Sequence, residues 1–250
     1  MQARRAAPTV QGSAIIVNVE ETNTITLSIM EKAGAYHRWI FDKMRGWLGE
    51  RVLEVGCGTG NLTALLLTER KVIASDVNSN YLRTVRDRFG SHSNLKGMVA
   101  WDLEQSPPEN LKGSIDTIVA SNVLEHMRDD DAVLEKFYHL LPMGGRVVLV
   151  VPALKVLYNS LDRGLGHFRR YGKGEVMQKL KRNRFTICHL TYFNLFGLFG
   201  WFLNGGLFHR RLLPEKQVRI FNNLVPALME IEKIVPTFVG QSLVIVGEKV

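Results

Sequence analysis

The nine residues Glu54-Val55-Gly56-Cys57-Gly58-Thr59-Gly60-Asn61-Leu62, directly after the apolar pair Val52-Leu53, constrain this chain more than any other stretch. They predict a buried strand that runs into a glycine-rich turn and then into a helix. Glycine at alternate positions lets the backbone approach a ligand to contact, because no Cβ stands between them. A helix opening near Asn61 aims its first amide N–H groups at the same spot. Glu54 sets a carboxylate beside the turn, which suits hydroxyl donors and repels phosphate. The spacing is G-x-G-x-G with no Lys-Ser/Thr after it, so neither the dinucleotide fingerprint nor the P-loop fits.

The order of elements around this turn points to an α/β fold. Apolar residues at helical spacing (Trp39, Ile40, Met44, Trp47) predict a helix over Ala35–Leu48, stopped at Gly49. Strands are expected at Arg51–Val55, Lys71–Asp76, Met98–Trp101, Ile115–Ser121 and Arg146–Val151. Between them lie helices over Asn61–Leu67, Asn78–Phe89 (Asn78 as N-cap) and Asp129–Leu141. Strands alternating with helices imply a doubly wound, mostly parallel sheet that binds ligands at the carboxyl ends of its strands. Farther on, a helix over Glu175–Lys181, a strand over Arg184–Tyr192 and a last strand over Gln241–Glu248, antiparallel at the sheet edge, complete the pattern.

Polar groups close these strands. Asp76, about 20 residues after the glycine turn, sits where a carboxylate accepts both hydroxyls of a ribose. Asp102, with the backbone amide of Leu103, is placed to read an adenine amino edge, and Asn122 follows the fourth strand.

A chain of 250 residues can bury one large core. Its two cysteines make no disulfide framework, and no metal-type Cys/His spacing exists, so no metal is expected. Cys57 reads as a small residue in the turn and Cys188 as a core residue. No apolar stretch of signal-peptide length follows Arg4 and Arg5, so a cytoplasmic location is expected. The net charge of +8 is local: between Asp162 and Arg219 twelve Lys and Arg face only Asp162, Glu175 and Glu215. Such a run suits an anionic small molecule, an acidic membrane surface or nucleic acid. The uncharged aromatic stretch 192–208 is too short and interrupted for a bilayer span. It reads as a buried cap or substrate-pocket wall, with peripheral membrane contact as the second reading.

VLEVGCGTGNLT, then ASDVN, AWDLE, ASNVLEHM and PMGGRVVLVVP together resemble the class I S-adenosylmethionine (SAM) methyltransferases of the small-molecule type, over roughly residues 35–152. LDRGLGHFRRYGKGEV, GWFLNGG and GQSLVIVGEK resemble a bacterial subgroup found fused or adjacent to glycosyltransferases. The resemblance implies a seven-stranded Rossmann-like sheet whose last strand is antiparallel, with a capping C-terminal helical region. Residues 1–20 are then a disordered tail and 21–250 a single domain, divided into a cofactor-binding half (21–152), a substrate-facing insert or cap (153–239) and the final strand (240–250). It further implies that SAM is the cofactor and S-adenosylhomocysteine its product. Glu54, Gly56, Gly58, Gly60, Asp76, Asp102, Leu103 and Asn122 would form the cofactor site, with Tyr36 and Arg38 closing over it.

The implied reaction moves a methyl group to an O, N or C atom of a small sugar-, lipid- or natural-product-type acceptor. His126, His167, Arg169 and Tyr171 are its candidate catalytic residues, the histidines as bases and Arg169 (or Arg170) as a fork for an anionic acceptor. The alternative is a nucleic-acid (RNA) methyltransferase, supported by charge alone. Against it, Ser121-Asn122-Val123-Leu124 stands where an Asn-Pro-Pro-Tyr type tetrapeptide would position an exocyclic amine.

Overall fold

A computed structural model describes residues 19–234 and 238–250. One sheet holds seven strands: β1 (Arg51–Val55), β2 (Lys71–Asp76), β3 (Leu95–Ala100), β4 (Thr117–Ser121), β5 (Arg146–Pro152), β6 (Phe185–Phe193) and β7 (Ser242–Lys249). Their order is β3-β2-β1-β4-β5-β7-β6. β1 to β5 pair in parallel, and β7 runs antiparallel to both β5 and β6. This is the expected doubly wound, Rossmann-like sheet, and the strand order reverses between β1 and β4.

One placement differs from the expectation. The closing strand β7 is not at the edge; it is inserted between β5 and β6. Its first six residues are all buried, which suits an interior strand, whereas β6 mixes exposed and half-buried positions as an edge strand does. Cys188, expected in the core, is exposed near a register shift in β6.

Helices flank the sheet: α1 (Val19–Met30), α2 (Gly34–Met44), α3 (Asn61–Leu66), α4 (Ser79–Phe89), α5 (Asp130–Leu140), α6 (Ser160–Leu165), α7 (Lys173–Arg182), α8 (Gly197–Trp201) and α9 (Glu215–Ile234). Their caps follow the sequence. The Asn78 side chain accepts from Asn80 N at 2.9 Å to start α4, and Asp129 accepts from Ala132 N at 2.9 Å to start α5. The period of two along each strand divides the core. Leu53, Val147, Leu149 and Ile245 face a cluster with Phe137 and Trp101; Val52, Val148, Val150 and Val244 face Trp39, Phe41 and Leu66.

The tail expected over 1–20 lies outside the described residues as far as 18, and Val19 and Glu20 already belong to α1. The aromatic stretch 192–208 divides into the end of β6, α8 and a π-helical turn over Phe202–Leu207. Trp201 and Asn204 are buried there, while Phe199, Phe202, Leu203, Leu207 and Phe208 are exposed. Among the described residues no helix is long and apolar enough to cross a membrane.

Candidate active site

At the carboxyl ends of β1, β2 and β4 the chain makes three sharp turns around one cavity of about 860 Å³. The first is the glycine turn. Gly56, Gly58 and Gly60 all adopt positive φ (69°, 53° and 86°), a conformation that side chains disfavour. A Cβ on Gly56 would stand 2.5 Å from Val123 Cγ2, so even this small group has no room. Gly56 and Gly58 line the cavity. Gly60 does not; it serves as the left-handed N-cap of α3, packed against Phe89 and Val85.

The second turn follows β2. Asp76 ties it to the first, accepting from Gly58 N (2.9 Å) and Asn78 N (2.9 Å), and it lines the cavity beside Glu54. Glu54 is buried and accepts from Thr63 Oγ1 at 2.6 Å. Burial pushes its carboxyl up to about 8, with Thr63 opposing and the neighbouring Asp76 adding to the rise. Burial raises Asp76 as well. The Cys57 thiol is raised by burial and then by these two carboxylates, so it stays protonated and is no nucleophile. The third turn, after β4, puts Asn122 at φ 54° on the cavity wall.

Asp102 and Leu103 are not on this wall. Asp102 is exposed and turns its carboxylate back onto Glu104 N (2.9 Å), closing its own turn. The Leu103 side chain is buried in the core cluster, and its carbonyl accepts from Lys136 Nζ. Helical geometry separates the two α2 candidates. Tyr36 lines the cavity together with His37 and Ile40, its hydroxyl raised by burial and facing Ser242, Asn194 and Arg170. Arg38 lies 200° around the helix from Tyr36, exposed and set over Phe41.

The catalytic candidates also divide. His126, in the 3₁₀ turn Leu124–His126, and His167 both line the cavity, their rings edge to face at 4.8 Å. Burial and then the adjacent His167 hold His126 down at about 4, so it is neutral. Arg169 points away and pairs with Asp130 (3.1 Å) and the Arg128 carbonyl (2.7 Å). Tyr171 is fully buried and donates to Asp130 Oδ2 at 2.8 Å, so it is a core residue and not a cavity one. In its place Arg170 reaches the cavity.

Arg170 belongs to a buried hub that the sequence reading missed. Asp162, with no exposure, accepts from Arg170 Nε (2.8 Å), His167 Nδ1 (3.0 Å), Asn159 N (3.0 Å) and Trp201 Nε1 (3.1 Å). Burial raises its carboxyl, but His167 and Arg170 outweigh that and hold it below the ordinary range. The only signal was compositional: Asp162 is one of three acids facing twelve bases. Beside the hub, Glu125 is fully buried. Neither of its carboxylate oxygens has a hydrogen-bond partner among the described residues, and burial lifts it to about 7. α1 was missed as well; it roofs the cavity with Leu27 and Met30 and joins Thr24 Oγ1 to the Tyr81 hydroxyl at 3.1 Å.

A family model described as "Methyltransferase domain" matches residues 53–147, the segment that carries all three turns. Residues 53–147 thus resemble a methyltransferase domain. The chain is 33% identical over 105 residues to the ubiquinone/menaquinone biosynthesis C-methyltransferase UbiE of Stenotrophomonas maltophilia, covering 39% of this chain and 40% of that relative. A ubiquinone biosynthesis O-methyltransferase of Cupriavidus pinatubonensis is 24% identical over 161 residues, 58% of this chain and 63% of the relative. The chain thus spans about two fifths of the first of these relatives and less than two thirds of the second. In fold, the SAM-dependent methyltransferase of Mesorhizobium loti superposes with a TM-score of 0.57 at 16% identity, covering 84% of this chain and 97% of the other.

Proposed function

We propose that the chain transfers a methyl group from SAM to an O, N or C atom of a small-molecule acceptor, with 21–152 as its cofactor half and 153–239 as its cap. The observation that carries this reading is the convergence of Glu54, Gly56, Gly58, Asp76 and Asn122 on one cavity whose remaining wall is mainly apolar, with His126, His167, Arg170 and Arg211 among its polar residues. SAM supplies an electrophilic methyl group on a sulfonium, so the protein's share is alignment and exclusion of water. Asp76 spends one lone pair on each backbone amide and keeps others for hydroxyl donors. The glycine turn admits the donor's chain at contact distance, and α1 with α9 covers the cavity from solvent.

The acceptor half is lined by Leu161, Leu165, Phe196, Trp201, Leu213 and Phe221, with Arg170 and Arg211 as its cations. This favours an acceptor with an apolar body and an anionic or polar end. Relatives named for ubiquinone and menaquinone biosynthesis support a small-molecule acceptor. The exposed Phe199, Phe202, Leu203, Leu207 and Phe208, followed by Arg210, Arg211 and Lys216, suit collection of such an acceptor from an acidic membrane surface. Charge no longer favours nucleic acid. Five of the twelve bases in the basic run (Arg169, Arg170, Lys179, Arg182 and Arg219) are paired with Asp130, Asp131, Asp162 or Glu215.

Calorimetric titration tests the reading. Wild-type protein should bind SAM with micromolar affinity. Asp76→Ala should weaken binding by about 10–100-fold, the worth of hydrogen bonds to a charged acceptor. Equal affinity in the two proteins would remove the cofactor assignment.

A further inference from the structure

Glu125 poses a question that methyl transfer does not answer. A fully buried carboxylate with both oxygens unpartnered is costly, and such a group in a folded protein calls for a physical cause. Its neighbours supply one. One ligand atom from each of Glu125, His126 and His167 lies within 4.8 Å of the others, at the boundary between the protein interior and the cavity. We propose that Glu125, His126 and His167 form a binding site for a divalent transition-metal cation of the zinc class, open on its fourth side to the cavity.

The chemistry of the three groups supports this. Two imidazoles and one carboxylate form a donor set that zinc uses where it keeps an open position, at about 2.0–2.2 Å from each ligand. Small side-chain rotations would bring the three groups onto a shared ion. His167 is already prepared. Its Nδ1 is held by Asp162 Oδ1 at 3.0 Å, which leaves Nε2 as the ligand atom, and a carboxylate behind a histidine is the usual outer support of such a site. Asp162 is itself fixed by Arg170, Asn159 and Trp201, so the imidazole cannot swing freely. Asp162 is already offset by Arg170, so Glu125, ionised on binding, would supply the negative charge that compensates the cation. Magnesium, which prefers an all-oxygen shell, suits this donor set poorly.

The proposal deepens the methyl-transfer reading, on which it rests for what the open side faces. An oxygen of the acceptor, or water, would complete the coordination shell. The binding test needs no turnover. Untagged protein, stripped with chelator and dialysed, is titrated with zinc against a chromophoric competitor. It is then loaded with cobalt(II) for a visible d–d spectrum. One zinc per chain is expected, together with a cobalt band of low-symmetry type. His126→Ala, which removes no hydrogen bond recorded in the structure, should lower zinc affinity at least about 100-fold, beyond the 10–100-fold lost with an outer-shell partner. Wild-type protein that binds no more zinc than His126→Ala, or that gives no cobalt band, overturns the site. The cobalt measurement needs no variant, so a misfolded substitution cannot obscure the result. SAM titration of the same samples separates the two readings: SAM bound without zinc sinks only the metal site, and zinc bound without SAM sinks only the donor assignment.

Discussion

Asp162→Ala is the sharpest test of how the cap is held. The wild-type carboxylate has no solvent exposure and accepts four hydrogen bonds, while Arg170 is only 2% exposed. Removing the carboxylate leaves a guanidinium buried with its charge uncompensated. Breaking a buried pair from one side costs about 3–5 kcal/mol. For a chain of this size that lowers the melting temperature by roughly 6–20 °C, at about 2–4 °C per kcal/mol. Arg170→Met in the same background removes the stranded charge, and replacing a whole buried pair by apolar groups is often neutral. The double variant should therefore be more stable than Asp162→Ala, by about 1.5 kcal/mol or more within the usual range of coupling energies. Some loss should persist, because Arg170 also donates to the Ala153 carbonyl (2.9 Å) and sits 4.6 Å from the Trp201 ring. Urea unfolding of the four proteins, with unchanged slopes, completes the cycle. A cost below about 1 kcal/mol for Asp162→Ala, or strict additivity in the double variant, would show that the hub does not hold its charge as argued.

Further outcomes follow from the same site. Glu54 stands at about 8 in the folded protein against an ordinary 4.5. Its contribution to stability is therefore full below the ordinary value and is lost as pH rises through 8, up to roughly 5 kcal/mol at 1.36 kcal/mol per pH unit. Glu54→Gln should flatten that decline in denaturation midpoints measured from pH 5 to 8.5; a parallel decline in the variant refutes the assignment. Gly56→Ala should cost roughly 2–5 kcal/mol, from a left-handed backbone and a Cβ pressed against Val123. Val123→Ala should recover only the steric part in the same unfolding assay. Tyr171→Phe should keep full turnover while losing roughly 1.5–3 kcal/mol of stability, since its hydroxyl serves Asp130 in the core. Lost turnover in a folded Tyr171→Phe protein would restore it as a catalytic candidate.

What could be read from the sequence was whatever local chemistry decides. The glycine turn, the Asn78 cap and the apolar runs of β1 and β5 each rest on a few adjacent residues, and each is present. Two helices escaped, for different reasons. α1 turns Leu27 and Met30 toward a cavity, and α9 carries Pro226 in its interior, which argues against a helix when read alone. The strand-end carboxylates also divided. Asp76 is reached by Gly58 N from another turn and so is drawn to the cavity, whereas Asp102 finds a donor two residues ahead and turns outward. Arg169 and Arg170 show the limit most clearly. In an extended segment alternate residues face opposite sides, so Arg169 and Tyr171 go to Asp130 and Arg170 goes to Asp162. Nothing in the pair of arginines tells which side holds the cavity. That is set by Asp162, whose partners range from Asn159 to Trp201, and a contact network of that span exists only once the cap has closed.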